Sequence, residues 1–176
     1  LVSHYGEVIK VLVDEKSRIN IYSLGKDNRI IYWRFQGDKW TPRVYDFNRI
    51  LRDDAKVARA PSTYSITDFL VYSVREELYV SDNLGRIIAV KISDNTITEV
   101  HCFFQLEIQS IVFSPNQSYI AVFYSSGCCQ IVSSQSFMIE LNLVDHMYDP
   151  TATNRPIGRV RIKEDLRRMK EVFSSI

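Results

Sequence analysis

The sequence predicts an all-β chain built from repeated four-stranded antiparallel units. Three observations predict it. Short apolar runs recur from residue 7 to residue 143, turn residues punctuate them, and one stretch superposes on the next at a fixed offset. The runs hold about five to seven residues and are rich in Val, Ile, Tyr and Phe, types that suit a pleated, half-buried surface.

In chain order, the first group of strands is expected at 7–13, 18–24, 29–35 and 40–46. The second is expected at 66–73, 78–81, 86–92 and 96–103, and the third at 108–113, 118–124, 128–133 and 137–143. Breakers separate them at Gly37-Asp38, Asn83-Leu84-Gly85, Ser93-Asp94-Asn95, Ser114-Pro115-Asn116 and Ser126-Gly127, residues that set turns through αL tolerance or local side-chain bonds. The stretch 47–63 is charged and carries Pro61; it reads as a surface insertion with one helical turn at 48–56.

A shift of 42 residues lays the second group on the third without a gap. Phe69, Leu70 and Val71 fall on Ile111, Val112 and Phe113; Leu78 and Val80 fall on Ile120 and Val122; Ile97 falls on Ile139; the turn glycine Gly85 falls on Gly127. A period of about 40–45 residues with four strands per unit marks a β-propeller blade. The expected organisation is therefore a blade at 1–46, an inserted connection at 47–63, blades at 64–103 and 104–143, and a C-terminal extension with an amphipathic helix at 144–176. A blade cannot cover both its faces, so three of them imply further blades on either side. The expectation is a portion of a seven-bladed disc, completed by the same or another chain, and the start at Leu1 without Met fits an excised segment.

Composition narrows the function. With 45% apolar and 12% aromatic residues the 176-residue chain can build a core, which excludes a disordered chain. Twenty-two Lys and Arg face twenty-one Asp and Glu, a balance that disfavours a dedicated nucleic-acid arm. No apolar run approaches the roughly 18 residues that cross a bilayer, so no membrane partner is expected. Cys102, Cys128 and Cys129 form no CxxC pair and no even disulfide framework, which fits a reducing, intracellular setting, cytoplasmic or nuclear.

The first group then reads His4-Tyr5-Gly6-Glu7-Val8, followed by Tyr22-Ser23-Leu24-Gly25-Lys26-Asp27-Asn28-Arg29-Ile30-Ile31-Tyr32-Trp33. It resembles a WD repeat: Val8 lies four residues after His4, Ser23 four before Asp27, and Trp33 six after Asp27. The resemblance implies a buried hydrogen-bond chain in which Asp27 accepts from the His4 ring and Ser23 links that ring to the Trp33 indole, a donor that needs a partner when buried. It implies that His4, Ser23, Asp27 and Trp33 lock the blade and catalyse nothing. Ser3 and Arg34 depart from the family's Gly-His and Trp-Asp pairs, and the second group has Leu84 at the Asp position and no Trp. The third group also lacks the Trp, although Ser114-Pro115-Asn116 is similar to the family's Ser-Pro-Asp-Gly turn.

Reactive chemistry has little footing. His4, His101 and His146 are scattered, so no clustered zinc set of about four ligands arises and no metal is expected. Glu76-Glu77 and Asp53-Asp54 read as solvated loop charge, and neither a nucleophile elbow nor a Gly-rich phosphate loop occurs. No cofactor and no enzyme activity are expected. Cys128-Cys129, on one strand, would point to opposite faces as structural residues.

Two features bear on partners, although the tail reads first as a helix packing its apolar edge on the last blade, and most of the aromatics as packing. The tail carries Arg159, Arg161, Arg167 and Arg168 beside the helical stripe Ile162, Leu166, Met169 and Phe173. Aromatics sit near the connections at Tyr5, Trp40, Tyr45, Phe47, Tyr64 and Tyr148; of these Tyr45, with Arg49 nearby, is a candidate partner-binding residue. The functional expectation is a non-catalytic protein–protein interaction scaffold within a larger protein or complex, as WD-like propellers are. The alternative is an RNA or ribonucleoprotein-binding propeller that uses the basic tail.

Overall fold

In the computed structural model, residues 3–14, 20–53, 61 and 63–142 are described. The first antiparallel sheet orders β1 (Val8–Asp14), β2 (Asn20–Gly25), β3 (Arg29–Gln36) and β4 (Lys39–Asp46) as consecutive neighbours. After α1 (Phe47–Asp53) comes the second sheet, β5 (Ile66–Tyr72), β6 (Glu77–Asp82), β7 (Arg86–Lys91) and β8 (Ile97–Cys102), again in sequence order. The third holds β9 (Ile108–Phe113), β10 (Tyr119–Tyr124), β11 (Cys129–Ser133) and β12 (Ile139–Asn142). The chain divides into two compact units, Leu1–Ile108 and Gln109–Ile176, with the boundary at the first residue of β9.

Period-two alternation builds the core of the first unit. Tyr22 lies opposite Tyr32 and Leu24 opposite Ile30, so these four side chains share one face of the first sheet. That face meets Phe69, Val71, Leu78, Val80, Ile88 and Val90 of the second sheet in one buried cluster. Each such aliphatic or aromatic side chain contributes roughly 1.5–3 kcal/mol on burial. Strand β6 is buried along its whole length, as a central strand covered on both faces should be. By contrast β1, at the edge of the first sheet, leaves Val8, Ile9, Val11 and Val13 exposed.

The inserted connection opens with more helix than one turn and begins one residue before the expected start. Asp46 caps α1 by accepting the Arg49 N–H at 3.3 Å, and Phe47 and Leu51, one turn apart, bury into the core cluster.

The 42-residue repeat extends to the backbone. Gly85 N–H donates to the Asp82 carbonyl and Gly127 N–H to the Tyr124 carbonyl. Lys91 bonds Thr96 as Ser133 bonds Met138, and Asn95 bonds Lys91 as Phe137 bonds Ser133. Left-handed φ values fall at the same places, +80° at Gly85 and +84° at Gly127, +67° at Asn95 and +53° at Phe137. Phe137 therefore ends the preceding turn, and β12 starts later than the expected 137. Gly85 has a second constraint, because a Cβ there would run into the carbonyl oxygens of Phe104 and Leu106.

Candidate functional site

The turn between β2 and β3 gathers all four residues of the expected lock. The His4 ring places Nδ1 3.0 Å from Asp27 Oδ1 and Nε2 2.9 Å from Ser23 Oγ. Trp33 Nε1 donates to the same Ser23 oxygen at 3.1 Å. One proton arrangement satisfies every member: the indole donates to Ser23 Oγ, the Ser23 hydroxyl donates to Nε2, and Nδ1–H donates to Asp27. The second Asp27 oxygen accepts the Tyr5 N–H at 2.8 Å, and Oδ1 also takes the Arg29 N–H at 3.3 Å. The His4 and Asp27 side chains are only 6% and 9% exposed, while Trp33 is half-buried rather than fully enclosed.

Burial pushes the Asp27 carboxyl up, but the Tyr5 N–H, the His4 ring and the Arg29 N–H together outweigh it and hold it below the usual carboxylate range. Such a group stabilises the fold above its ordinary pKa of about 3.9, and the contribution is lost as pH falls through the lower folded value. Asp27→Ala is accordingly expected to cost about 1.5–3 kcal/mol at pH 7, the range for bonds to a charged acceptor. Urea unfolding of both proteins at pH 7 and at pH 3 checks this. The gap should narrow in acid, and equal stability at pH 7 would remove the lock.

The sequence did not single out Gly25 as a requirement of this geometry, yet a Cβ there would run into the His4 ring and the Asp27 carboxylate. Asn28, at φ +58°, is the other missed residue. Its amide donates to the Tyr64 carbonyl at 3.1 Å, and its oxygen accepts the Ile66 N–H at 2.8 Å, fastening the turn to the start of β5.

The second sheet replaces this lock with another. Leu84 stands where Asp27 stands in the first turn, and Asp82, at the position of Gly25, is wholly buried. Its oxygens accept from Leu84 N–H at 3.0 Å, Arg86 N–H at 2.9 Å and Arg86 Nε at 2.7 Å. In the third sheet the Ser114-Pro115-Asn116 turn closes as expected, with Asn116 Oδ1 accepting from Ser114 Oγ at 2.8 Å and Ser118 N–H at 3.0 Å.

The expected partner-binding residues separate sharply. Tyr45 is corrected: it is fully buried opposite Ile30, and its hydroxyl donates to the Ile92 carbonyl at 3.2 Å, so it offers no surface. Burial raises its phenol to about 12. Arg49 is exposed beside Asp53 and lines an open cavity of about 800 Å³ with Asp46, Ile50 and Ile97. Phe47 and Tyr64 are buried, whereas Tyr5 and Trp40 are exposed, the latter packed against Phe35 at 5.1 Å. Arg159, Arg161, Arg167, Arg168 and Tyr148 lie outside the described residues.

Glu77 is a further correction. It opens β6 and is 3% exposed, so it is not solvated loop charge. Cys128 and Cys129 are buried thiols, and burial pushes the Cys129 thiol up, away from reactivity. Among the described residues, no group of three or more His, Cys, Asp or Glu could hold a metal ion, and no helix is long and apolar enough to cross a membrane.

No protein-family model matches the sequence, and no curated protein matches it. Solved structures match its fold. The β-propeller domain of Cps50 (Swd1) from Myceliophteria thermophila superposes with a TM-score of 0.59 at 10% identity, covering 75% of this chain and 40% of that one. The WD40 repeats of RRP9 superpose with a TM-score of 0.62 at 14% identity, covering 84% of this chain and 41% of that one. The chain thus spans about two fifths of the length of the propellers it matches. Its three four-stranded antiparallel sheets are blades, and its fold is that of a WD40-repeat β-propeller.

Proposed function

We propose that the chain is a non-catalytic protein-interaction scaffold, the portion of a WD40-type propeller that presents turns and blade edges to other proteins. The observation that carries this reading is the saturation of the His4–Ser23–Asp27–Trp33 chain. Both ring nitrogens of His4 are engaged, the Ser23 oxygen serves two partners, and Asp27 faces three donors. A serine beside a histidine and an aspartate would be a nucleophilic triad if the serine faced a substrate. Here the Ser23 hydroxyl is buried and already bridges ring and indole, so the constellation holds a turn in place.

Affinity purification from native extract, with and without nuclease, tests the proposal. The expected result is a set of proteins retained in fixed stoichiometry after nuclease treatment. Loss of every partner on nuclease treatment would replace it with the RNA-binding reading.

A further inference from the structure

The first blade leaves one face open. Val11, Val13 and Phe35 stand 58%, 51% and 42% exposed, and Trp40, opposite Phe35, is 44% exposed. Val11 lies opposite Ser23, Val13 opposite Ile21, and Ile21 opposite Trp33. This face is therefore the reverse of the one that carries Tyr22 and Leu24 into the core cluster. Strand register identifies its counterpart in the second blade. There Phe69 lies opposite Val80, Val71 opposite Leu78, and Leu78 opposite Val90, the same ladder. Even the irregularity at Val8/Lys10 recurs at Ile66/Asp68. Phe69 and Val71 thus occupy the places of Val11 and Val13, yet they are 0% and 8% exposed. What covers them is the reverse face of the first blade, with Leu12, Tyr22, Leu24 and Ile30. The open face is a seat built for a blade's reverse face, and it has no occupant among the described residues.

We propose that the third blade of a second copy of this chain fills that seat. Leu12 lies opposite Tyr22 as Leu70 lies opposite Tyr79, and Leu24 lies opposite Ile30 as Ser81 lies opposite Ile87. The 42-residue shift carries Leu70 to Val112 and Ser81 to Phe123. Val112 and Phe123 therefore hold the places of Leu12 and Leu24 on the third blade's reverse face, beside Ala121, Cys129 and Ile131. The first blade's reverse face is occupied in the core cluster, and the second's, at Leu70, Tyr79, Ile87 and Ala89, is buried. Among the described residues the third alone keeps large apolar side chains exposed, Val112 at 50% and Phe123 at 42%. Two copies bring six four-stranded sheets, inside the range of about four to eight blades at which a propeller closes. Each copy then offers its seat to the other, and the two contacts close with no free face to extend. This self-association is separate from the scaffold reading, which concerns other proteins.

Size-exclusion chromatography with light scattering on the full chain tests this. The expected mass is about twice the 20.5 kDa of one chain, falling toward one chain on dilution. Val11→Asp should weaken the pair at least about tenfold, because a carboxylate would be buried without a partner. Phe123→Asp should do the same from the other side, and Val112→Asp serves if circular dichroism shows that Phe123→Asp unfolds. Mixed in equal amounts, the folded variants of the two faces should regain a one-to-one pair, since one seat and one reverse face stay intact. Val74→Asp, at a turn residue 74% exposed and off both faces, should leave the mass unchanged. A single-chain mass at every concentration would overturn the proposal and leave the seat to a blade outside this chain. So would a pair that survives Val11→Asp, a pair that the folded reverse-face variants leave intact, or a mass that climbs beyond two copies.

Discussion

Asp82→Ala is expected to destabilise the chain by about 3–5 kcal/mol, the range for removing one partner of a buried ion pair. Asp82 has no exposed surface, and the Arg86 side chain that it holds is 12% exposed. Arg86 lies over the Tyr64 ring, and its Nη2 has no hydrogen-bond partner among the described residues. Removing the carboxylate would leave a guanidinium with no counter-charge and would strip the Leu84 and Arg86 N–H groups of their acceptor. Burial is the largest influence on the Asp82 carboxyl and pushes it up, against the opposing pull of Arg86 and the two backbone donors. The double change Asp82→Ala, Arg86→Leu should recover part of the loss, because it removes the stranded charge. Urea midpoints at constant m-value measure this. A single variant within about 0.5 kcal/mol of wild type, the scatter of surface changes, would show that the pair holds nothing.

Phe69→Ala is expected to be as damaging, at about 3–5 kcal/mol for a large buried ring. Phe69 is fully buried on β5, with its centroid 6.4 Å from that of Tyr22 in the first sheet and the Lys10 ammonium 5.5 Å above it. Lys10 is itself tied across the seam, to Asp68 and to the Phe69 carbonyl. Truncation would open a void where the first two blades meet. Met138→Ala, at a side chain 66% exposed, is the matched control and should fall within about 0.5 kcal/mol of wild type. Thermal melts that do not separate the two variants would move Phe69 out of the core.

How much of this was legible in the sequence follows from the range of each interaction. The strands were readable because β-branched and aromatic runs alternate locally, and because Gly85, Gly127 and Asn95 mark turns by their own backbone tolerance. The lock was readable because fixed spacing between His4, Ser23, Asp27 and Trp33 encodes a bond geometry across one hairpin and its lead-in. What stayed hidden depends on register or on neighbours. Tyr45 sits among Arg43 and Arg49 and looks like a contact residue, but the β3–β4 register places it against Ile30. Glu77 looks solvated next to Glu76, yet the strand begins at Glu77 and draws it beneath the sheet. The Asp82–Arg86 pair has the spacing of any polar turn, and only the complete burial of Asp82 distinguishes it.

The matching torsions of the second and third blades have a wider consequence. Asparagine and phenylalanine occupy the same left-handed corner at 95 and 137, and the same backbone bonds close around both. The heritable part of a blade is thus a pattern of bends that many alphabets can spell. Two unlike side chains therefore leave the same corner in place, because the backbone bonds around it are what hold the bend.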